Sequence, residues 1–188
     1  MKISVYGSAA GEITDDTKER AREVGREIAR RGHDLLTGAC PGLSYEAVCG
    51  ANEIGGKVLG FSPASSLLEH KERFDFPYEE FSQIIWSPQS FPINLENETH
   101  KLACLKMRNI YSVAYSDAAI IIGGRWGTVN EFTLMYDMGK NIGVLKGTGG
   151  FTEYVERMVT DLKKSRGSKI VYNGDPVGLV RELERVTL

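Results

Sequence analysis

Cysteine is scarce in this chain: Cys40, Cys49 and Cys104 are odd in number and widely separated. Without CxxC spacing they frame neither a disulfide scaffold nor a zinc site, and no metal is expected. Cys49 and Cys104 fit helix-packing positions. Cys40 lies in a glycine loop with no histidine near it in sequence, which favours a small loop residue over a nucleophile. Long apolar runs are also missing. None approaches bilayer length, and Met1-Lys2 leads straight into Ile3-Ser4-Val5-Tyr6, too short for a signal h-region, so a cytoplasmic protein without a membrane partner is expected. An excess of one charge is absent as well: a net charge of −2 and a pI near 6.0 supply no basic face for a nucleic acid polymer. A bound phosphate is therefore expected to be a small one. No linker-like run divides the 188 residues, whose 41% hydrophobic content suffices for the core of a single domain over 1–188. Finally, neither GxGxxG with a suitably spaced acidic residue nor GxxxxGK[ST] occurs, so a mononucleotide fits better than a dinucleotide or Walker-type ligand.

What is present is an alternation of short apolar strands and amphipathic helices. Strands are expected at Lys2 to Tyr6, His33 to Thr37, Lys57 to Phe61, Ile84 to Trp86, Ala118 to Ile122, Ile142 to Leu145 and Lys169 to Tyr172. Helices are expected at about Asp15 to Arg31, Ser44 to Ile54, Glu98 to Tyr115, Val129 to Gly139, Thr152 to Lys164 and Pro176 to Arg185, with Gly32 and Gly55-Gly56 as stops. This rhythm predicts an α/β, Rossmann-like, doubly wound and mostly parallel sheet. Residues 62–97 break it with Phe74, Phe76, Pro77, Tyr78, Phe81, Trp86, Pro88, Phe91 and Pro92. Such a segment either folds its rings onto the core or serves as a lid, a base-stacking surface or a dimer contact.

Three glycine loops follow three strands, at Gly7 to Gly11 with Ser8, at Gly38 to Gly42 with Ala39, and at Gly123 to Gly127. Ligands of parallel sheets bind beyond the carboxyl ends of the strands, so the three loops are expected to border one crevice. The third, Gly123-Gly124-Arg125-Trp126-Gly127-Thr128, opens into a helix expected to start at Thr128, whose N-terminus favours an anion. Thr128 is read as both N-cap and phosphate ligand. Arg125 is a phosphate clamp or a surface arginine, and Trp126 is expected to pack against the sheet rather than stack on a base. Glu131 lies about one turn further on. Thr128-Val129-Asn130-Glu131 also fits a capping box, in which the glutamate serves the helix's own N–H groups. Arg108, taken alone, reads as a solvated helix cation. His33, His70 and His100 are expected at the surface or as caps, and the charged run Lys18 to Arg31 as the solvated face of the first helix.

These motifs resemble the LOG family of cytokinin-activating phosphoribohydrolases, formerly labelled lysine decarboxylases, within a wider Rossmann-like superfamily that includes molybdenum-cofactor carriers. The family signature P-G-G-x-G-T-x-x-E is matched by Gly123-Gly124-Arg125-Trp126-Gly127-Thr128-Val129-Asn130-Glu131, and Arg108 stands at the arginine of M-x-x-R-K. Val5-Tyr6-Gly7-Ser8-Ala9-Ala10-Gly11 and Gly38-Ala39-Cys40-Pro41-Gly42-Leu43 are similar to the family's first two loops. The chain departs from the pattern where Gly123 replaces proline, Arg125 replaces glycine and Asn109 replaces lysine. The turn Gly147-Thr148-Gly149-Gly150 resembles the carrier branch. The resemblance implies binding of a nucleoside 5′-monophosphate and cleavage of its N-glycosidic bond to free base and ribose 5-phosphate. Arg108 and Glu131 would act on that bond, while Gly7, Ser8, Gly38, Ala39, Gly42, Gly123, Gly124, Arg125, Gly127 and Thr128 would hold the phosphate or nucleotide. A homodimer and no required cofactor are expected. The alternative is a non-enzymatic carrier or sensor of a phosphorylated pterin or nucleotide. Lysine decarboxylation is discounted, since no lysine carries a motif for a pyridoxal Schiff base.

Overall fold

The computed structural model describes residues 1–9, 11, 13–87, 93–163 and 166–188. Among them seven strands, β1 (Lys2–Gly7), β2 (Asp34–Thr37), β3 (Val58–Ser62), β4 (Gln83–Trp86), β5 (Ala118–Ile122), β6 (Asn141–Leu145) and β7 (Ile170–Asn173), alternate with seven helices. The helices are α1 (Asp15–Arg30), α2 (Leu43–Asn52), α3 (Leu67–Phe74), α4 (Glu98–Tyr115), α5 (Trp126–Asp137), α6 (Val155–Leu162) and α7 (Pro176–Thr187). The strands form one sheet in the order β4-β3-β2-β1-β5-β6-β7, and every neighbouring pair is parallel. The expected α/β, Rossmann-like, doubly wound single domain is what the chain forms. Among the described residues no helix is long and apolar enough to cross a membrane.

The two-residue period of the strands builds both layers. Ile3 and Val5 of β1, with Ala118, Ile120 and Ile122 of β5, face α1, α2 and α7. Tyr6, Ala119 and Ile121 point the other way, onto α4, α5 and α6. Each fully buried isoleucine here stabilises the fold by about 1.5–3 kcal/mol. Helices α1 and α2 meet backbone to backbone: a Cβ on Gly25 would lie 1.9 Å from the Ala47 carbonyl oxygen, and one on Gly50 2.0 Å from that of Arg22.

The segment 62–97 holds two elements. Ser66 caps α3 by accepting from the Glu69 N–H, and Asp75, in the left-handed region at φ 52, ends it. Periodicity misses this helix because Leu67 and Leu68 face solvent, while His70 and Phe74, four apart, turn inward. Phe74 is buried, and Phe81 packs against the core beside Tyr45. Pro88, Phe91 and Pro92 of that segment, like Ala10 of the first loop and Lys164 at the expected helix end, lie outside the described residues. The expected helix from Thr152 is instead a 3₁₀ turn, Gly150–Glu153, followed by α6.

Several expected surface groups are buried. Glu27, inside the charged run of α1, is 1% exposed and pairs with Arg30, Arg31 and Arg181. His33 is buried between the N-terminal amine and Glu184. His70 is fully buried, with Ser62 Oγ 2.8 Å from Nδ1 and the Pro77 carbonyl oxygen 3.0 Å from Nε2. Burial lowers its pKa. His100 does serve a cap-like role, its Nδ1 accepting from the Asn94 N–H.

Candidate functional site

The strand order reverses direction between β1 and β5, and such a switch point opens a crevice at the carboxyl ends of the two strands. Gly7 pairs with Ile122 at the end of that register, so the first and third glycine loops leave the sheet side by side. Ser8 ties all three loops together. Its carbonyl accepts from the Leu43 N–H at 2.9 Å, at the end of the second loop, and its hydroxyl accepts from the Gly124 N–H at 2.9 Å in the third. Gly42, at φ 92, sits so tightly on this turn that a Cβ there would come within 2.1 Å of the Ser8 carbonyl oxygen. Gly123 is bound in turn by Thr148, whose hydroxyl accepts its N–H at 2.8 Å.

These bonds change which groups can meet an anion. The N–H groups of Gly123 and Gly124 are spent on the scaffold, and α5 starts at Trp126 rather than at Thr128. Its N-cap is Arg125, and no side chain caps it, whereas α1, α3, α4 and α7 are capped by Thr14, Ser66, Asn97 and Asp175. The first-turn donors of Gly127 and Thr128, which line the cavity described next, are thus left without a helical partner. Thr128 is in the third helical position, buried, with its side chain against Gly124, so it is not the N-cap. Trp126 is 85% exposed, because as the first helical residue it projects past the sheet it was expected to pack on. Arg125 is exposed and borders cavities on both sides of the loop.

The smaller cavity, about 210 Å³, brings Arg108 and Glu131 together with Ser8, Arg125 and Thr128. Arg108 is not solvated: it is buried on α4, and its Nη1 donates to the Gly38 carbonyl oxygen. A Cβ at Gly38 would lie 1.7 Å from that nitrogen, so glycine makes the cradle for the guanidinium. Ala39 follows at φ 46, a left-handed conformation uncommon for a residue with a side chain, is fully buried and lines neither crevice cavity. Glu131 is 7% exposed. With α5 beginning at Trp126 it falls in the second turn, out of reach of a capping box, and no described residue hydrogen-bonds its carboxylate. Burial pushes its pKa up to about 7, against the opposing pull of Arg108 and then Lys106. Burial and then the Glu131 charge push the Tyr6 phenol behind it up to about 12. A carboxyl poised near neutrality can both donate and accept a proton at physiological pH.

Phe76, Leu105, Lys106, Asn109 and Cys40 also line this cavity. Leu105 stands three residues before Arg108 and four before Asn109, a helical spacing legible once Arg108 is chosen. Phe76 arrives from the aromatic segment, whose rings were expected either on the core or as a lid, base-stacking surface or dimer contact. On the far side of Ser8 and Arg125 a larger cavity, about 460 Å³, is walled by Thr14, Thr17 and the Gly147–Gly150 turn. That turn is joined to the third loop by the Phe151 N–H donating to the Gly124 carbonyl oxygen at 2.8 Å. A separate apolar groove, walled by Phe132, Tyr136, Met158 and Leu162, runs between α5 and α6. Among the described residues no three His, Cys, Asp or Glu side chains gather as a metal site requires.

Comparison with known proteins agrees with this architecture. The X-ray structure of TM1055 superposes with a TM-score of 0.77 at 22% identity, covering 98% of each chain. The molybdenum cofactor carrier protein MCP from Chlamydomonas reinhardtii superposes with a TM-score of 0.70 at 21% identity, over 98% of this chain and 96% of that one. At these identities the likeness is one of fold. In sequence, a protein of Archaeoglobus fulgidus described as uncharacterized is 30% identical over 146 residues, 78% of this chain and 80% of its own. The family model of the SLOG cluster4 family matches residues 1–180, and the chain belongs to that family.

Proposed function

We propose that the crevice binds a nucleoside 5′-monophosphate and hydrolyses its N-glycosidic bond. The observation that carries this reading is Glu131: a buried carboxyl near pKa 7, one helical turn beyond an uncapped helix start and in the same cavity as a buried arginine. The phosphate sits on the N–H groups of Gly127 and Thr128, with Arg125 as its counter-charge. Arg108, cradled by Gly38, orients the sugar phosphate. The C1′–N bond breaks with its electron pair leaving on the base, and the ionised Glu131 stabilises the oxocarbenium-like centre. Water adds its oxygen to C1′, Glu131 takes the released proton, and that proton passes to the base nitrogen. The products are free base and ribose 5-phosphate. Water and the chain's own groups suffice, and the active form is proposed to be a homodimer.

A second reading, a carrier of a phosphorylated pterin or nucleotide, is favoured by the fold shared with the Chlamydomonas reinhardtii carrier protein and by the larger cavity beside the Gly147–Gly150 turn. Incubating the protein with a panel of nucleoside 5′-monophosphates and following free base and ribose 5-phosphate separates the two. Release that Glu131→Gln abolishes supports the hydrolase. Tight binding with no release from any substrate would leave the carrier.

A further inference from the structure

Asn109 follows Arg108 on α4, is 2% exposed and lines the smaller cavity. Its Nδ2 donates to Asn130 Oδ1 on α5 at 2.9 Å. Its Oδ1 is buried and has no hydrogen-bond partner among the described residues, and the same is true of the neighbouring Arg108 Nε. Leaving a buried acceptor unsatisfied costs about 1–3 kcal/mol. A carboxamide held at one end by Asn130 and open at the other therefore suits a ligand that brings a donor. An exocyclic amine would serve Oδ1 alone. A hydroxyl serves it too, and also accepts from a donor elsewhere in the site.

The position selects the same group. From Thr128 to Glu131 the helix advances three residues, about 4.5 Å at 1.5 Å per residue. One cavity runs from Gly127 and Thr128 of that first turn to Asn109 and Glu131, so a nucleoside 5′-phosphate anchored at the turn would hold its pentose beside them. Resting on the nucleotide reading above, we propose that Asn109 Oδ1 accepts a hydrogen bond from a ribose hydroxyl and makes the site selective for ribonucleotides over deoxyribonucleotides. Asn130 is then the positioning residue that keeps the amide turned.

The test is isothermal titration of the full chain with adenosine, guanosine, cytidine and uridine 5′-monophosphates and their 2′-deoxy and 3′-deoxy forms. The wild type is expected to bind the ribonucleotide about 10-fold or more tightly than at least one deoxy series. Asn109→Leu should collapse that ratio toward one, and Asn130→Ala, which releases the amide nitrogen of Asn109, should reduce it. Equal affinity of the wild type for all three series would overturn the assignment and leave the nucleotide reading standing. Selectivity kept in full by a folded Asn109→Leu protein would also overturn it, since another group would then be reading the hydroxyl. No binding by any monophosphate sinks the nucleotide reading and this inference with it. Should Asn109→Leu fail to fold, the wild-type ratio and Asn130→Ala decide the matter.

Discussion

At the scale of the residue, Glu131 governs how the protein responds to pH. Its folded pKa of about 7 is raised above the ordinary 4.5, so the folded chain holds that proton more tightly than the unfolded chain. The cost of burying the charge is absent below about pH 4.5, grows as the pH rises toward 7, and is complete above it. The shift corresponds to roughly 3 kcal/mol. Glu131→Gln is therefore expected to melt near the wild-type temperature at pH 5 and above it at pH 8. Parallel melting curves for the two proteins between these values would show that the carboxyl is not desolvated. The same ionisation sets the activity proposed above: if the carboxylate form stabilises the oxocarbenium centre, kcat/KM should climb through about pH 7, and Glu131→Gln should release no base. A rate that falls through pH 7 would instead assign Glu131 as the acid.

At the scale of the element, the site depends on contacts between loops that are distant in sequence. Gly38→Ala would place a methyl group where Arg108 Nη1 lies, 1.7 Å from it, so the guanidinium must leave the Gly38 carbonyl. Base release is expected to drop by about 10-fold or more, the equivalent of one charged hydrogen bond. Unchanged turnover in a folded Gly38→Ala protein would show that Arg108 acts from another position. Ser8→Ala removes the acceptor of the Gly124 N–H and should cost about 1–3 kcal/mol in urea unfolding. It should also speed amide exchange at Gly124. Much of this level is readable from sequence: the glycine loops after β1, β2 and β5 stand where strand period gives way to helical period. The start of α5 is not. Thr128 has the chemistry of an N-cap, yet the bonds from Gly123 to Thr148 and from Gly124 to Ser8 hold the loop so that the helix winds from Trp126. Only the fold brings those partners near, 25 and 116 residues away.

At the scale of the whole molecule, the crevice exists because β5 pairs with β1 and not with β4. One layer of that sandwich relies on the contact between α1 and α2. Gly25→Val would drive a side chain into the Ala47 carbonyl, and is expected to destabilise the protein by at least about 3 kcal/mol without touching the site. Melting temperature and ligand affinity per folded molecule measure the two effects separately. A Gly25→Val protein as stable as the wild type would mean that α1 and α2 can separate without loss.

Strand alternation, helix stops and glycine loops are local patterns, so the sequence by itself determined the doubly wound α/β class and the strand order along the chain, while Arg108 and Glu131 became candidates only through the resemblance to the LOG family. The environment of those candidates is not local. The burial that raises the Glu131 pKa comes from β1, α4 and α5 closing together, and the same closure turns a seemingly solvated Arg108 into a buried donor to Gly38. His70 and Glu27 moved from expected surface to interior because their partners, Ser62 and Pro77 on either side of α3 and Arg181 of α7, are brought to them only by the fold. The open acceptor of Asn109 depends likewise on Asn130, 21 residues on. Desolvation and hydrogen-bond supply are set by which atoms surround a group in three dimensions, and that neighbourhood only the tertiary structure decided.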